Sequence, residues 1–232
     1  MTAPDITVVI TGHREGIIAG PSIRSALIAM EAARQQGIEA ELLVTLDRTD
    51  EVTRSIFSKA LGGTVNILEL DEGDPGQARN RAVEAASGTF VTFLDADDLW
   101  SANWLTCALE AARHRPDAIH HSFANAVFGD ERNLWFHIDS ESASFDPHYL
   151  EWSNYWDAMS FAERSIFLEY PFRANDLDAG FGHEDWHWNC VTLASGFAHK
   201  VVPGTMHFKR RRKGSQMTKV ARSNALIWPD KL

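Results

Sequence analysis

Cysteine is scarce: Cys107 and Cys190 are the two thiols, far apart and outside any CxxC or zinc-ligand spacing. That excludes a disulfide framework and a cysteine-based structural zinc site, and it fits a reducing compartment. No uninterrupted apolar run is long enough to span a bilayer, and residues 1–5 carry no basic segment leading into an apolar one. Neither a transmembrane segment nor a secretory leader is therefore expected, and the expected location is the cytoplasm, compatible with peripheral association at a membrane surface. A basic surplus is missing as well. The formal net charge of −10 argues against a dedicated nucleic-acid binder, which needs positive charge to neutralise phosphates. Internal repeats and low-complexity segments are absent. What remains is 232 residues, 44% hydrophobic and 23% charged, enough apolar material for one generous domain over residues 1–232 without an internal linker.

The apolar residues fall into short alternating runs. Residues 6–10 are β-branched and lead into the polar Thr11-Gly12-His13-Arg14-Glu15-Gly16, the pattern of a buried strand ending in a loop. Pro21-Ser22 opens a helix with an apolar stripe at Ile23, Ala26, Leu27 and Met30 and a stop at Gly37. Strands follow at 41–46, 65–70 and 89–94, with helices at 51–61 and 77–86 between them, then a helix at 104–114 and a strand at 198–202. Residues 123–170 are aromatic-rich and mix strand, loop and short helical signals; the stretch after Ser215 reads as a surface arm. Strands alternating with helices predict an α/β fold, a single Rossmann-type domain with a mostly parallel central sheet and helices on both faces. Ligands of such sheets bind beyond the carboxyl ends of the strands, where residues 11–15, 47–50 and 95–98 all fall.

Val91-Thr92-Phe93-Leu94-Asp95-Ala96-Asp97-Asp98 ends the fourth strand on three carboxylates, with Asp95 and Asp97 on one side. Like charges so close repel. A hard divalent cation, Mn2+ or Mg2+, relieves the repulsion and is commonly shared between one or two carboxylates and substrate phosphates. The alternative is a helix cap, with Asp98 opening a helix at Leu99-Trp100.

The residues leading into that strand narrow the reading. Gly73-Asp74-Pro75-Gly76-Gln77-Ala78-Arg79-Asn80, then Ala85-Ala86-Ser87-Gly88, then Phe93-Leu94-Asp95-Ala96-Asp97-Asp98, resembles the family 2 glycosyltransferases in order and spacing over about the first hundred residues. The resemblance implies a GT-A-like fold, a nucleoside-diphosphate sugar donor, a divalent metal and transfer with inversion to an acceptor hydroxyl. It divides the chain into a donor-binding half, 1–100, and an acceptor and catalytic-base half, 101–232. It places Thr11, Glu15, Asp47 and Arg79 at the nucleoside, Asp95 at the nucleotide-sugar and Asp97 on the metal. Two departures leave the base open among uracil, guanine and thymine: Thr11-Gly12-His13 replaces a Pro-Thr-Tyr type of sequence, and Asp47-Arg48-Thr49-Asp50 lacks the paired Asp-Asp-Gly-Ser.

In the second half, Phe181-Gly182-His183-Glu184-Asp185-Trp186 sets two carboxylates among aromatics, an environment that raises a carboxylate pKa toward that of a general base. Such acids also suit the start of a helix. By resemblance Asp185 is the catalytic base and Glu184 its neighbour, which either binds the acceptor or orients the helix start. Lys209-Arg210-Arg211-Arg212-Lys213-Gly214-Ser215 concentrates positive charge in an acidic chain, and similar enzymes close the donor site with a basic stretch ending in Gly-Ser. Arg212 and Ser215 are the phosphate candidates; the other basic residues are read as solvated. His207 stands either as a third metal ligand or as a structural histidine. Trp135, Trp152, Tyr155 and Trp156 serve equally as core or as platforms for a carbohydrate or lipid-linked acceptor. His120, His121 and His137 show no ligand spacing. Two rivals stand beside this reading: a sugar-phosphate nucleotidyltransferase, whose Gly-rich basic triphosphate loop is missing at residues 11–16, and an inactive carbohydrate-binding or partner-binding domain, at odds with the intact acidic motifs.

Overall fold

In the computed structural model, which describes residues 3–63, 65–212 and 225–227, the β-branched runs and helical stripes alternate as their spacing requires. The first half runs β1 (Ile6–Gly12), a 3-10 turn (Gly16–Ile18), α1 (Ala19–Gln35), β2 (Ala40–Asp47), α2 (Glu51–Leu61), β3 (Asn66–Leu70), α3 (Pro75–Ala85) and β4 (Phe90–Asp95). The second continues through β5 (Leu99–Trp100), α4 (Trp104–His114), β6 (Ala118–Gly129), β7 (Asn133–Phe136), a 3-10 turn (Pro147–Glu151), β8 (Phe161–Glu163), α5 (Arg164–Glu169), α6 (Glu184–Ala194) and β9 (Ala198–Arg211).

Local chemistry sets the helix boundaries. Asp50 caps α2 by accepting from the Thr53 amide at 2.8 Å, and Gly62, at φ 64°, ends it in the left-handed region that glycine favours. Asp74 caps α3 through the Gln77 amide at 2.9 Å, with Pro75 in the first turn, where its missing N–H costs nothing. α1 starts at Ala19, ahead of the expected Pro21-Ser22, because a proline in the first turn needs no partner for its nitrogen.

All strands join one sheet in the order β3-β2-β1-β4-β8-β6-β9-β5, with β7 added on β6. The long ladders, β3-β2-β1-β4 and β6-β9, are parallel; β8, β5 and β7 pair antiparallel. Alternate side chains of the strands feed two cores. Ile6, Val8, Ile10, Val44 and Leu94 pack with α1, α2 and α4, while Val9, Leu43, Val91 and Phe93 pack with α3, α5 and α6. The sheet is therefore covered on both faces, as the alternating pattern predicts.

Two strands differ from expectation. β6 is buried from Ala118 to Ser122 without alternation and carries His120, His121, Ser122 and Asn125, so a central strand reads as a mixed polar segment. β9 extends past residue 202 to Arg211, which turns most of the basic run into strand rather than loop. Asp98 does not cap a helix: the next helix begins at Trp104, and the Asp98 carboxylate instead accepts from the Arg210 amide at 2.6 Å, tying the end of β4 to β9.

Gly88 marks the closest approach in the first half. A Cβ there would lie 2.5 Å from the Thr7 nitrogen and 2.7 Å from the Ile6 carbonyl carbon, both backbone atoms that cannot move aside. Gly88→Ala is expected to lower stability by about 1–3 kcal/mol through overpacking. Urea denaturation reads it, and a wild-type midpoint would show that the turn into β4 is not pressed against β1.

Candidate active site

β1 lies between β2 and β4, so strand order reverses at the β1–β4 boundary and leaves a crevice at their carboxyl ends. Thr11 and Asp95 face each other across it, the Thr11 hydroxyl donating to Asp95 Oδ1 at 2.8 Å. Arg79, on α3 and 3% exposed, donates from Nη2 to the same Asp95 oxygen at 2.9 Å and from Nη1 to Glu184 Oε1 at 3.1 Å. One buried guanidinium thus joins the acidic end of β4 to the first turn of α6, residues far apart in sequence. Its neighbour Asn80 clamps the Phe172 backbone, donating to the carbonyl at 2.8 Å and accepting from the amide at 2.9 Å. Asn175 completes the seam by donating to Asp74 at 2.8 Å and to Glu184 at 3.0 Å.

The other candidates divide. Arg212 brings its Nε to 3.2 Å from Asp97 and its Nη2 to 3.8 Å from Glu15, so these three meet at the crevice. The Glu15 side chain keeps 8% of its surface exposed, and burial raises its pKa despite the His13 amide bonded to it at 2.6 Å. Asp47 is spent on the fold: its two oxygens accept from the Glu72 and Gly73 amides at 2.7 and 2.8 Å, fixing the turn after β3. The Arg48 guanidinium lies over that turn, where a Cβ on Gly73 would overlap it. Arg79 enters as a bridge between acids, enclosed beneath the crevice, rather than as an arm reaching for a nucleoside. Ser215 lies outside the described residues.

Asp185 and Glu184 occupy the first turn of α6, behind His183 in a left-handed conformation at φ 62°. Burial raises both pKa values, opposed at Asp185 by the charges of Lys209 and Arg79 and reinforced at Glu184 by Asp185. Burial and the charge of Asp95 raise Asp97, whereas Asp95 itself is lowered because Arg79, Lys209 and the Thr11 bond outweigh its burial.

Lys209 and Asp157 are the residues that sequence reasoning missed. Lys209, expected to be solvated, keeps 12% of its side chain exposed, with its Nζ 3.4 Å from Asp157 and 3.7 Å from Asp98. Asp157 is held by the Asn125 amide group at 2.8 Å and the Met159 backbone amide at 3.0 Å, and Lys209 keeps its carboxyl well below the usual range against the effect of burial. The missed signal is a period of two: once the basic run is strand, Lys209 shares a face with His207 and turns inward.

His207 is fully buried, edge-on to Trp104 with ring centroids 4.6 Å apart, and neither ring nitrogen has a hydrogen-bond partner among the described residues. The titratable groups that act on it are Asp157, His137 and Lys209, and we propose the structural alternative for it. Burial lowers it to about 3 and His199 likewise to about 3; His121, stacked on His199 at 5.1 Å, is lowered with them. A histidine that stays neutral when folded but titrates near 6.5 when unfolded withholds its stabilisation as pH falls below 6.5. Each such group therefore costs ~1.4 kcal/mol per pH unit down to its folded value. His207→Phe is expected to flatten the loss of urea stability between pH 7 and pH 5.5 while leaving Mn2+-dependent nucleotide affinity within about twofold. A loss of metal-dependent affinity would restore His207 as a ligand.

Among the described residues no three His, Cys, Asp or Glu side chains are gathered to hold a metal ion, so these residues offer no complete cage. The acids fit a cation that shares its coordination with substrate. Both hydrogen bonds to Asp95 fall on Oδ1, and Asp97 is paired with the Arg212 side chain, which is 39% exposed. Magnesium-like ions commonly take one or two carboxylates and complete their shell with phosphate and water.

Comparison with known proteins agrees with this geometry. Residues 22–172 match the model of glycosyl transferase family 2. The succinoglycan biosynthesis protein ExoO of Rhizobium meliloti (strain 1021) is 28% identical over 224 residues, which is 91% of this chain and 62% of that protein, so the chain spans less than two thirds of this relative. Among solved structures, S. aureus TarS residues 1–349 in complex with UDP-GlcNAc superposes with a TM-score of 0.67 at 15% identity, covering 97% of this chain and 68% of that one. The mannosyltransferase PcManGT from Pyrobaculum calidifontis, in complex with GDP-Man and Mn2+, gives 0.65 at 14% identity, covering 93% and 59%. At such identity the two structures share the fold. With the family model matched over more than half of its length, this chain belongs to glycosyl transferase family 2.

Proposed function

We propose that the protein transfers a sugar from a nucleoside-diphosphate donor to an acceptor hydroxyl, with inversion and with a divalent cation, in the assembly of a polysaccharide or glycoconjugate. The observation that carries this reading is the Arg79 bridge, which sets the acids of β4 beside the base candidate at the head of α6. The names of ExoO, TarS and PcManGT support, in turn, the pathway class, the nucleotide-sugar and the Mn2+.

Asp185 takes the proton of the acceptor hydroxyl as its oxygen attacks the anomeric carbon from the face opposite the diphosphate. The bond from that carbon to the diphosphate oxygen breaks, and one displacement inverts the centre. The raised proton affinity of Asp185 suits a base of this kind. Charge grows on the departing diphosphate, where Arg212 stands ready at the crevice. Asp97, with the open oxygen of Asp95, would hold the cation, which supplies Lewis-acid stabilisation to the leaving group when bound. Here carboxylates outnumber the bases Arg79, Lys209 and Arg212, and Asp97, Asp98, Glu184 and Asp185 all sit above their ordinary pKa. A bound cation would offset the repulsion between these acids and an incoming diphosphate.

A thermal-shift panel of UDP, GDP and dTDP, each with and without Mn2+, tests the reading. One base is expected to raise the melting temperature only when Mn2+ is present, since a ligand at 100 times its Kd stabilises by about 2.7 kcal/mol. No shift with any nucleotide would sink the transferase assignment, and an equal shift without metal would remove the cation from it.

A further inference from the structure

We infer that residues 225–227 form a positioning strand that holds the turn carrying Asp185; the inference rests on the transferase reading above, in which Asp185 is the base. The stretch after Ser215 reads in sequence as a surface arm. Its described residues instead pair with the chain just ahead of α6. Leu226 lies parallel to Phe181, its amide donating to the Gly180 carbonyl at 2.9 Å and its carbonyl accepting from the Gly182 amide at 3.1 Å. On the opposite edge Phe181 exchanges both backbone bonds with Asp176, at 2.8 and 3.0 Å. Residues 180–182 are thus the middle run of three paired segments. Without Leu226 this run would present an open edge three residues before the base.

The side chains follow the backbone. Ala225 is buried, and Ile227 packs on the cluster of Leu150, Tyr155, Trp156 and Cys190, against which Trp186 also packs. Leu226 itself is 63% exposed, so its contribution lies in the main chain. Strand and cluster together grip the chain on both sides of Asp185, through Gly182 before it and Trp186 after it. His183 gives this grip its purpose, since it sits between Gly182 and Glu184 at φ 62° without being glycine. A side chain in the left-handed region persists where its surroundings over-determine it. On the helix side Glu184 is tied to Arg79 at 3.1 Å and to Asn175 at 3.0 Å. On the other side the tie is Leu226. The Asp185 carboxylate accepts from the amide of Trp186, its immediate neighbour, at 2.8 Å, so its direction follows that of the helix start.

In the full chain, Leu226→Pro and Leu226→Ala separate backbone from side chain. Proline removes the amide that donates to Gly180, and alanine keeps it. By hydrogen exchange, residues 180–187 should exchange at least about tenfold faster in Leu226→Pro than in wild type or Leu226→Ala, with the melting temperature lowered by only about 2–4 °C. Donor hydrolysis is followed in Mn2+ with UDP-glucose, GDP-glucose and dTDP-glucose. Leu226→Pro should lower kcat by about 10–10²-fold, the cost of a reacting group displaced by about an ångström, with KM within about twofold. Leu226→Ala should restore kcat to within about twofold of wild type. In an Asp185→Asn background Leu226→Pro should cost less than about twofold, because the group it places is already gone. Ile227→Ala, which keeps every backbone bond but loosens the anchor, should move exchange and kcat the same way by less, and it decides the matter should Leu226→Pro fail to fold. Wild-type exchange or wild-type kcat in the folded variants, or a full further loss in the Asp185→Asn background, overturns the proposal. If wild type turns over none of the three donors and no nucleotide shifts its melting, the transferase reading falls, and exchange alone decides whether the strand holds the turn.

Discussion

Asp185→Asn is expected to lower metal-dependent donor turnover by about 10²–10⁴-fold, the range over which a positioned general base contributes. Asparagine fills nearly the same volume and can still accept from the Trp186 amide, which now bonds Asp185 Oδ1 at 2.8 Å, so the start of α6 survives the change. What disappears is the lone pair able to carry a proton away from the attacking oxygen. Donor affinity, which depends on the crevice acids and Arg212, should remain within about twofold, separating a fall in kcat from a rise in KM. The wild-type pH profile gives a second check. Burial raises the Asp185 pKa, so activity should climb with pH through a limb displaced upward from the usual 3.8. That limb should vanish in the variant. Donor hydrolysis in Mn2+ supplies the assay, and a variant that keeps wild-type hydrolysis would move the base elsewhere, with Glu184 the first group to examine.

The parts legible in sequence were those whose residue type and spacing act locally. The helix at 51–61 and the helix at 104–114 appear as Glu51–Leu61 and Trp104–His114 because caps, glycine stops and apolar stripes are local signals. The acids at the end of β4 and the head of α6 were visible for the same reason: runs of carboxylates beside apolar strands are conspicuous. Roles that depend on long-range partners were not. Asp47 looks like a free strand-end acid, yet the amides that saturate it lie on the turn after β3. Lys209 looks like one of several solvated cations, and only its pairing across β9 to Asp98 and its approach to Asp157 turn it inward. β6 was hidden because a strand covered on both faces loses its alternation, and its histidines, which show no ligand spacing in sequence, find partners only in the fold, where His121 and His199 share a hydrogen bond at 2.9 Å.

Arg79 shows the same lesson in energetic form. The motif that carries the family resemblance contributes a residue whose work is to hold two acids together inside the protein. Arg79→Met removes the guanidinium from between Asp95 and Glu184 and leaves the buried Glu184 carboxylate and the half-buried Asp95 carboxylate facing a methionine of similar bulk. Breaking a buried pair from one side costs about 3–5 kcal/mol, a large part of the roughly 5–15 kcal/mol that a domain possesses. The loss should depend on pH, with a definite sign. In wild type Asp95 has a lowered pKa, so its pairing stabilises the fold above the unfolded value and is lost as pH falls through the folded one. In the variant burial acts on Asp95 unopposed by Arg79, its folded pKa rises, and protonation relieves the strain. The stability gap between wild type and Arg79→Met in urea should therefore be widest near pH 7.5 and should narrow as pH approaches 5. A gap equal at both values would mean that Arg79 serves chiefly by packing over the Phe172 ring, 5.8 Å from its guanidinium carbon, and not as the charge that joins the two halves of the site. Arg79→Lys sharpens the distinction. Its compact ammonium keeps the charge but lacks the planar fork that reaches Asp95 and Glu184 together, so it should recover stability before it recovers Mn2+-dependent nucleotide binding.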